Sequence, residues 1–347
     1  MRVLTAIFFA AMLTACASPT TAPTPTGLRA PAQATATPPR ASATQTAALI
    51  HAQADISNLH VDDVALYFST CKSPATPNDV VGKIARATGK VETLAMEQTC
   101  PSPILADATH LYWVSLGKIF RVAKDAGKIQ AVGSLTAVNG LVIDEAALYA
   151  SVCESRASGA IVQVTKATGG TQDFLKLARC PRVVAADATH IYFTTSDRDA
   201  GDELHRVKKT GGAAEKIATL ARYPVVAQNI IADDAMIYWT TRQDPGKPQG
   251  DADDYNSILA LNKANLASKP IANQQARPSA LALDAANLFW SNCGTLRFNF
   301  ENTALVRAPK AGGAAATLAP GICANALAVD AQNIFAATKE GVLRVNK

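Results

Sequence analysis

Ile231-Ala232-Asp233-Asp234-Ala235-Met236-Ile237-Tyr238-Trp239-Thr240 is the clearest copy of a phrase that recurs through this chain. Reduced to Asp-x-x-x-[Leu/Ile]-[Tyr/Phe], it starts at Asp62, Asp107, Asp144, Asp187, Asp233, Asp284 and Asp330. The aliphatic place holds Leu66, Leu111, Leu148, Ile191, Ile237, Leu288 and Ile334. The aromatic place holds Tyr67, Tyr112, Tyr149, Tyr192, Tyr238, Phe289 and Phe335. Self-similarity at a spacing of about 40 to 50 residues is the mark of a repeat architecture.

Each copy is flanked by runs of strand length. An apolar run such as Leu281-Ala282-Leu283 precedes the Asp, and Leu-Tyr-Trp or its equivalent follows three turn residues later. Two such runs joined by an Asp-started turn predict a β-hairpin. A third run follows a variable loop, as in Ile161-Val162-Gln163-Val164 or Leu305-Val306-Arg307-Ala308. A Gly-rich turn comes next, as in Lys209-Thr210-Gly211-Gly212 and Lys310-Ala311-Gly312-Gly313, then a weaker fourth run such as Ala316-Thr317-Leu318-Ala319. Four short antiparallel strands per repeat predict one blade, and seven repeats predict an all-β, seven-bladed β-propeller over residues 46–347.

The Ile-Tyr-Trp-Thr phrase, the Ile-x-Arg-Val strand and the Lys-x-Gly-Gly turn resemble the YWTD, NHL and related β-propeller repeats. That resemblance implies the fold. It leaves function open, because these propellers include receptors, scaffolds, lyases and lactonases. The seventh repeat stops at Lys347, at the end of its third strand. An open edge would result, so Thr46-Ala47-Ala48-Leu49-Ile50-His51-Ala52 is expected to supply the missing fourth strand.

The N-terminus reads differently. Met1-Arg2 and the apolar run Val3 to Leu13 are too short for a membrane span and end in Leu13-Thr14-Ala15-Cys16. This resembles the bacterial lipobox, which implies a signal peptide over residues 1–15 and a lipid on Cys16 that holds the protein to a bilayer. An ordinary signal peptide with an unrelated Cys is the alternative, and in either case the segment is processed rather than folded. Ala at position 17 fits outer-membrane sorting. Residues 16–45 form an Ala-, Pro- and Thr-rich tether with too few large apolar side chains to order itself.

The precursor carries a formal net charge of +5 with both signs mixed along it. No basic stripe stands out, which argues against nucleic acid as a partner. Cys71, Cys153 and Cys293 each follow the second run of a repeat, and Cys100, Cys180 and Cys323 each follow the fourth. Strand direction alternates, so both places lie on one face. The equivalence selects the disulfides Cys71–Cys100, Cys153–Cys180 and Cys293–Cys323 in an exported protein. Zinc ligation is the weaker alternative, since close Cys pairs are missing.

Five residues before each anchor Asp stand Ser57, Ser102, Asn139, Arg182, Gln228, Ser279 and Asn325, all polar. Three residues before it stand only aliphatic residues, from Leu59 to Leu327. First strands of propeller blades line the central channel, which puts the polar set in a ring near its mouth, on the face of the disulfides. Two readings stand: a ligand-facing ring with Arg182 as its cation, or small polar groups satisfying the backbone as each loop enters its strand. The same face carries the 242–257 loop, with Asp251, Asp253 and Asp254, and the loop containing Arg297-Phe298-Asn299-Phe300. The three carboxylates have the oxygen chemistry for Ca²⁺ without EF-hand spacing, so a solvated acidic loop is the competing reading. No other cofactor is indicated.

The anchor Asp residues occur in equivalent copies, which fits turn capping better than catalysis. The Tyr-Trp pairs fit packing between blades. Ser69-x-x-Lys72 and Ser115-x-x-Lys118 match an acyl-enzyme signature, but they fall at strand ends rather than at a helix start. His110 and His190 occupy equivalent turns and form no ligand pair. The favoured expectation is an envelope lipoprotein whose propeller binds an envelope protein or a small ligand through its loop-rich face. The alternative is a hydrolase or lyase working at the channel mouth.

Overall fold

The computed structural model describes residues 46–125, 127–155, 157–197, 201–221, 225–243, 256–294 and 303–347. Its strands form seven separate four-stranded antiparallel sheets, with no helix among the described residues. Six sheets take consecutive strands. The seventh joins Ala326–Val329, Asn333–Ala337 and Val342–Asn346 to Ala48–His51 from the other end of the propeller. Its register is Ala48↔Arg344, Leu49↔Leu343 and His51↔Val342. The fold is the expected seven-bladed propeller, closed by its N-terminal strand.

The closing seam depends on one residue type. Gly341 opens the last strand with φ at 139°. A Cβ there would collide with the His51 carbonyl oxygen and come within 3.0 Å of Ala52 Cα. Only glycine lets the two ends of the propeller approach this closely.

The innermost strands are Ile56–Val61, Leu105–Ala106, Val138–Ile143, Pro181–Ala186, Val225–Ala232, Pro278–Leu283 and Ala326–Val329. The hydrophobic cores lie between consecutive blades rather than within them. Tyr112, Val114 and Ile119 of blade two pack with Leu141, Leu148 and Ala150 of blade three. Tyr238 and Ile258 of blade five pack with Leu288 and Trp290 of blade six. Trp113, Trp239 and Trp290 are buried. Their indole N–H groups donate to Gln98 Oε1 at 2.9 Å, the Leu220 carbonyl at 3.1 Å and Gln275 Oε1 at 3.1 Å. The aromatic phrase is thus the packing element expected of it, with the polar tip of each Trp satisfied.

A second inter-blade lattice is ionic. Each anchor Asp turns Oδ1 toward two backbone N–H groups of its own hairpin, as Asp62 does for Val64 and Ala65 at 2.9 Å. It turns Oδ2 toward a basic residue of the following blade. The pairs are Asp62–Lys124 at 2.8 Å, Asp107–Lys166 at 3.4 Å, Asp144–Lys209, Asp187–Lys263 at 3.0 Å, Asp233–Lys310 at 2.6 Å and Asp284–Lys347 at 2.6 Å. Asp330 of blade seven takes Arg86 of blade one at 2.6 Å and completes the circle. Lys263 also stands 4.6 Å above the Tyr192 ring, and Tyr192 donates to Asp187 at 2.7 Å. One repeated phrase therefore caps a turn, fills a core and pins the next blade.

Candidate functional site

The inner strands of blades three to five border an open cavity. This cavity of about 1590 Å³ is lined there by Leu141, Val183, Val184, Ala185, Ile230 and Ile231, with Asn139, Arg182 and Gln228 at one end and Asp187 and Asp233 at the other. Walls of Val, Ala, Leu and Ile follow from first strands packed on both flanks by neighbouring blades. The polar end lies on the disulfide face. All three expected disulfides form, Cys71–Cys100, Cys153–Cys180 and Cys293–Cys323. Each ties the end of a second strand to the start of the next blade. Asp79 is fully buried beside the first. Its carboxylate accepts from Lys72 N at 2.8 Å, Cys100 N at 3.0 Å and the Thr70 hydroxyl at 3.1 Å.

The seven residues of the polar ring divide into two groups. Ser57, Ser102 and Asn139, on blades one to three, are engaged. Ser57 accepts from Asn58 Nδ2 at 3.0 Å, and Ser102 donates to Asn58 Oδ1 at 3.3 Å. Asn139 donates to the Pro181 carbonyl at 3.0 Å and accepts from Ser151 at 2.7 Å. Ser102 and Asn139 fasten one blade to the next, and Ser57 is held within its own blade. Arg182, Gln228, Ser279 and Asn325, on blades four to seven, behave otherwise. Their side chains make no hydrogen bond or ion pair with any described residue. Arg182 and Asn325 are exposed, and Gln228 and Ser279 are half-buried. The result is a crescent of free polar groups around one side of the mouth.

The inner strands are irregular at the mouth in both groups. The pairing of first and second strands slips near the mouth, for example between Ile56 and Asn58, Val138 and Gly140, and Gln228 and Ile231. A bulge re-aims side chains by one position. In blades one and five the bridging amide is therefore Asn58 or Asn229, one place after the ring residue. Asn58 donates to the Pro101 carbonyl at 3.3 Å and Asn229 to the Ser279 carbonyl at 2.8 Å. A strict spacing count from the anchor Asp misses both. It also passes over the hydroxyls that follow the aromatic phrase. Ser69 donates to the Pro101 carbonyl at 2.7 Å, and Ser291 donates to the Ile322 carbonyl at 3.2 Å while accepting from Ala324 N at 2.8 Å. Their signal was the Ser or Thr two places after the aromatic residue.

Beyond the crescent, Arg242 Nε and Asn292 Oδ1 are buried at the ends of second strands without a hydrogen-bond partner among the described residues, while other polar groups there are engaged. Asp202 lines the cavity, but it accepts from Ser196 at 2.7 Å and from Ala227 N at 2.9 Å. His205 stacks on Phe193 at 5.2 Å, its ring nitrogen lies 3.1 Å from the Thr195 hydroxyl, and burial lowers its pKa. His110 and His190 sit at equivalent turns, each against a Thr hydroxyl at 2.8 Å. Among the described residues, no three His, Cys, Asp or Glu side chains converge as metal ligands. Asp251, Asp253 and Asp254, the aromatic loop around Phe298 and the whole N-terminal segment with Cys16 lie outside the described residues.

No family model matches the sequence, and no curated protein sequence matches it. Solved structures do share its fold. An oligogalacturonate lyase from Vibrio parahaemolyticus is similar with a TM-score of 0.64 at 12% identity, over 87% of this chain and 97% of the other. An oligogalacturonate lyase in complex with manganese gives 0.58 at 13% identity, over 88% and 98%. A puromycin-hydrolyzing peptidase of Mycobacterium tuberculosis gives 0.59 at 12% identity, and the match spans 86% of this chain but only 52% of that one. At such identities the likeness is one of fold, and fold does not assign activity. What the chain and its geometry define is a seven-bladed β-propeller with a disulfide-tied, loop-bearing face around a channel mouth.

Proposed function

We propose that this protein is a lipid-anchored envelope lipoprotein whose propeller is a binding module, taking its ligand at the channel mouth. The observation that carries the reading is the crescent of Arg182, Gln228, Ser279 and Asn325. Arg182 and Gln228 line the cavity without an internal partner among the described residues, and Ser279 and Asn325 stand equally unpartnered at the equivalent places of blades six and seven, in a fold that satisfies the corresponding residues of blades one to three. The described mouth offers hydrogen bonds and a positive charge, and its Asp202 carboxylate is already engaged. That arrangement favours holding a ligand over moving protons in one.

The anchoring half of the reading rests on Leu13-Thr14-Ala15-Cys16 and the tether that follows. Three disulfides support export to an oxidising compartment. As the fourth strand of its blade, Ala48–His51 runs from the Asp-turn face to the disulfide face. The preceding chain therefore enters the propeller on the side opposite the mouth.

Native mass spectrometry of the full chain, purified in detergent from its host, tests the binding reading. The wild type is expected to carry a bound mass that Arg182→Ala with Asn325→Ala loses. An identical bound mass in both would refute the reading. Cell fractionation tests the anchor: Cys16→Ser is expected to leave the membrane fraction, and retention there would refute a lipid anchor.

A further inference from the structure

We infer that the ligand at the mouth is a small organic anion whose carboxylate or phosphate group pairs with the Arg182 guanidinium. This rests on the mouth being the working site and adds the chemical class of what it takes.

Arg182 is the only Asp, Glu, Lys or Arg on the seven inner strands. Its side chain is exposed, lines the cavity, and has no ion-pair or hydrogen-bond partner among the described residues. The opposite face shows what this chain does with a cation it uses structurally: seven basic residues there are each matched to an anchor Asp. Its stem lies beside Gly140 of the neighbouring inner strand, where a Cβ would come within 3.2 Å of Arg182 Cγ, after meeting Ser151 Oγ at 2.6 Å and the Val183 carbonyl oxygen at 3.1 Å. The glycine leaves room for the Arg182 stem along this wall.

A guanidinium presents a planar fork of donors that matches carboxylate and phosphate two bonds at a time. Apolar walls below it, among them Val184, Ala185 and Ile230, lower the local dielectric and strengthen attraction to an anion. Arg179 lines the same cavity and adds positive charge. Gln228 on the same wall supplies a neutral donor and acceptor for the rest of the ligand. Positive side chains beside a neutral hydrogen-bonding group select a polar anion.

The test is a thermal-shift comparison on the full chain in detergent, with D-glucuronate, inorganic phosphate, D-glucose and a poly-glutamate peptide at equal concentration. Glucuronate or phosphate is expected to raise the melting temperature, since a ligand bound only to the folded state stabilises it. Which of the two acts separates carboxylate from phosphate as the group bound. Glucose is expected to give no shift. Arg182→Gln is expected to lose about tenfold in affinity for the active anion, corresponding to about 1.4 kcal/mol, and Arg182→Lys to recover part of it. Arg182 is exposed, so the unliganded melting temperature of these variants checks that they fold.

No shift with either anion, or an undiminished shift in Arg182→Gln, overturns the inference. A shift with poly-glutamate alone also overturns it and assigns the mouth to an acidic protein segment. If glucose acts as strongly as glucuronate and Ser279→Ala or Asn325→Ala abolishes the shift, the mouth is the site but the anion class is wrong. If no substitution at Arg182, Ser279 or Asn325 changes any shift, both readings fail.

Discussion

Arg86 Nη2 lies 2.6 Å from Asp330 Oδ2, and this contact joins the first blade of the propeller to the last. It is the seventh member of the Asp–basic ring and the one that spans the closing seam. Both side chains are largely covered, at 31% and 8% exposure, so the pair is screened less than a surface ion pair. Arg86→Ala and Asp330→Ala are each expected to destabilise the fold by about 1–3 kcal/mol, with a coupling energy of about 0.5–2 kcal/mol in a double-mutant cycle. Denaturant unfolding measures it. Additive effects would mean that the pair contributes nothing to closure.

Acid should unlock the whole ring. Burial alone would raise the Asp62 pKa, but hydrogen bonds from Lys124 and from the Ala65 and Val64 N–H groups outweigh it and hold the group at about 2. The same contest, with burial opposed by the turn N–H groups and the paired cation, lowers Asp107, Asp144, Asp187, Asp233, Asp284 and Asp330. A carboxylate whose folded pKa lies below its unfolded value contributes stability that is complete above the unfolded value. That stability is lost as pH falls through the folded one. Melting temperature is expected to decline gently as pH falls below about 6.5, where the unfolded chain protonates His205, His60 and His51 before the folded one does. It is expected to fall steeply between about pH 4 and 2 as the ring protonates. Asp62→Asn should make the acid slope shallower. A melting temperature unchanged down to pH 2 would contradict the role of the ring.

The closing strand gives a sharper test of topology. Gly341→Ala must move the His51 carbonyl or the strand that carries it, and is expected to cost about 2 kcal/mol or more. Gly211→Ala, also at positive φ but with open space around its Cβ, should cost less. Deleting residues 46–52 should lower the melting temperature sharply, and deleting residues 20–40 should leave it nearly unchanged. Equal melting temperatures for the two deletions would contradict closure by the N-terminal strand.

The disulfides can be assessed one at a time. Their sequence separations are 29, 27 and 30 residues, so in the chain-entropy model each contributes about 3 kcal/mol. Replacing both members of any one pair by Ala should lower stability by about that amount and leave the circular dichroism spectrum unchanged. Loss of the β-spectrum on removing one pair would show that the blades depend on the bridges to form.

These outcomes bear on how far the sequence could be read. Repeat number, strand order, the closing strand and the disulfides follow from periodicity, because the Asp-x-x-x-[Leu/Ile]-[Tyr/Phe] phrase does the same three jobs in each blade. The Lys of the Lys-x-Gly-Gly turn was visible as part of the repeat. Its pairing with the Asp of the preceding blade was not, since spatial adjacency between blades leaves no trace in spacing along the chain. Lys209 and Lys310 pair with Asp144 and Asp233, so replacing them would disturb the fold and they make poor neutral controls for binding. Exposed Asp63 and Lys208 on the same face serve better. At the mouth, position five before the Asp is always polar, but an Asn bridges to the neighbouring blade from that place at Asn139 and from the next place at Asn58 and Asn229. Sequence spacing marks the ring. Only the contacts in three dimensions separate engaged Asn139 from free Asn325.

The central claim is that the mouth, rather than the turn-bearing face, is where this propeller works. The most direct measurement is a crystal structure of the full protein purified from its host, with attention to density that solvent and the chain do not explain. The expected result is such density against the Arg182 guanidinium, within reach of Gln228, Ser279 and Asn325. The contrary result is a mouth holding only water, with ligand density instead in the groove of about 830 Å³ between blades five and six, against Asn265, Lys269 and Asp284 on the opposite face.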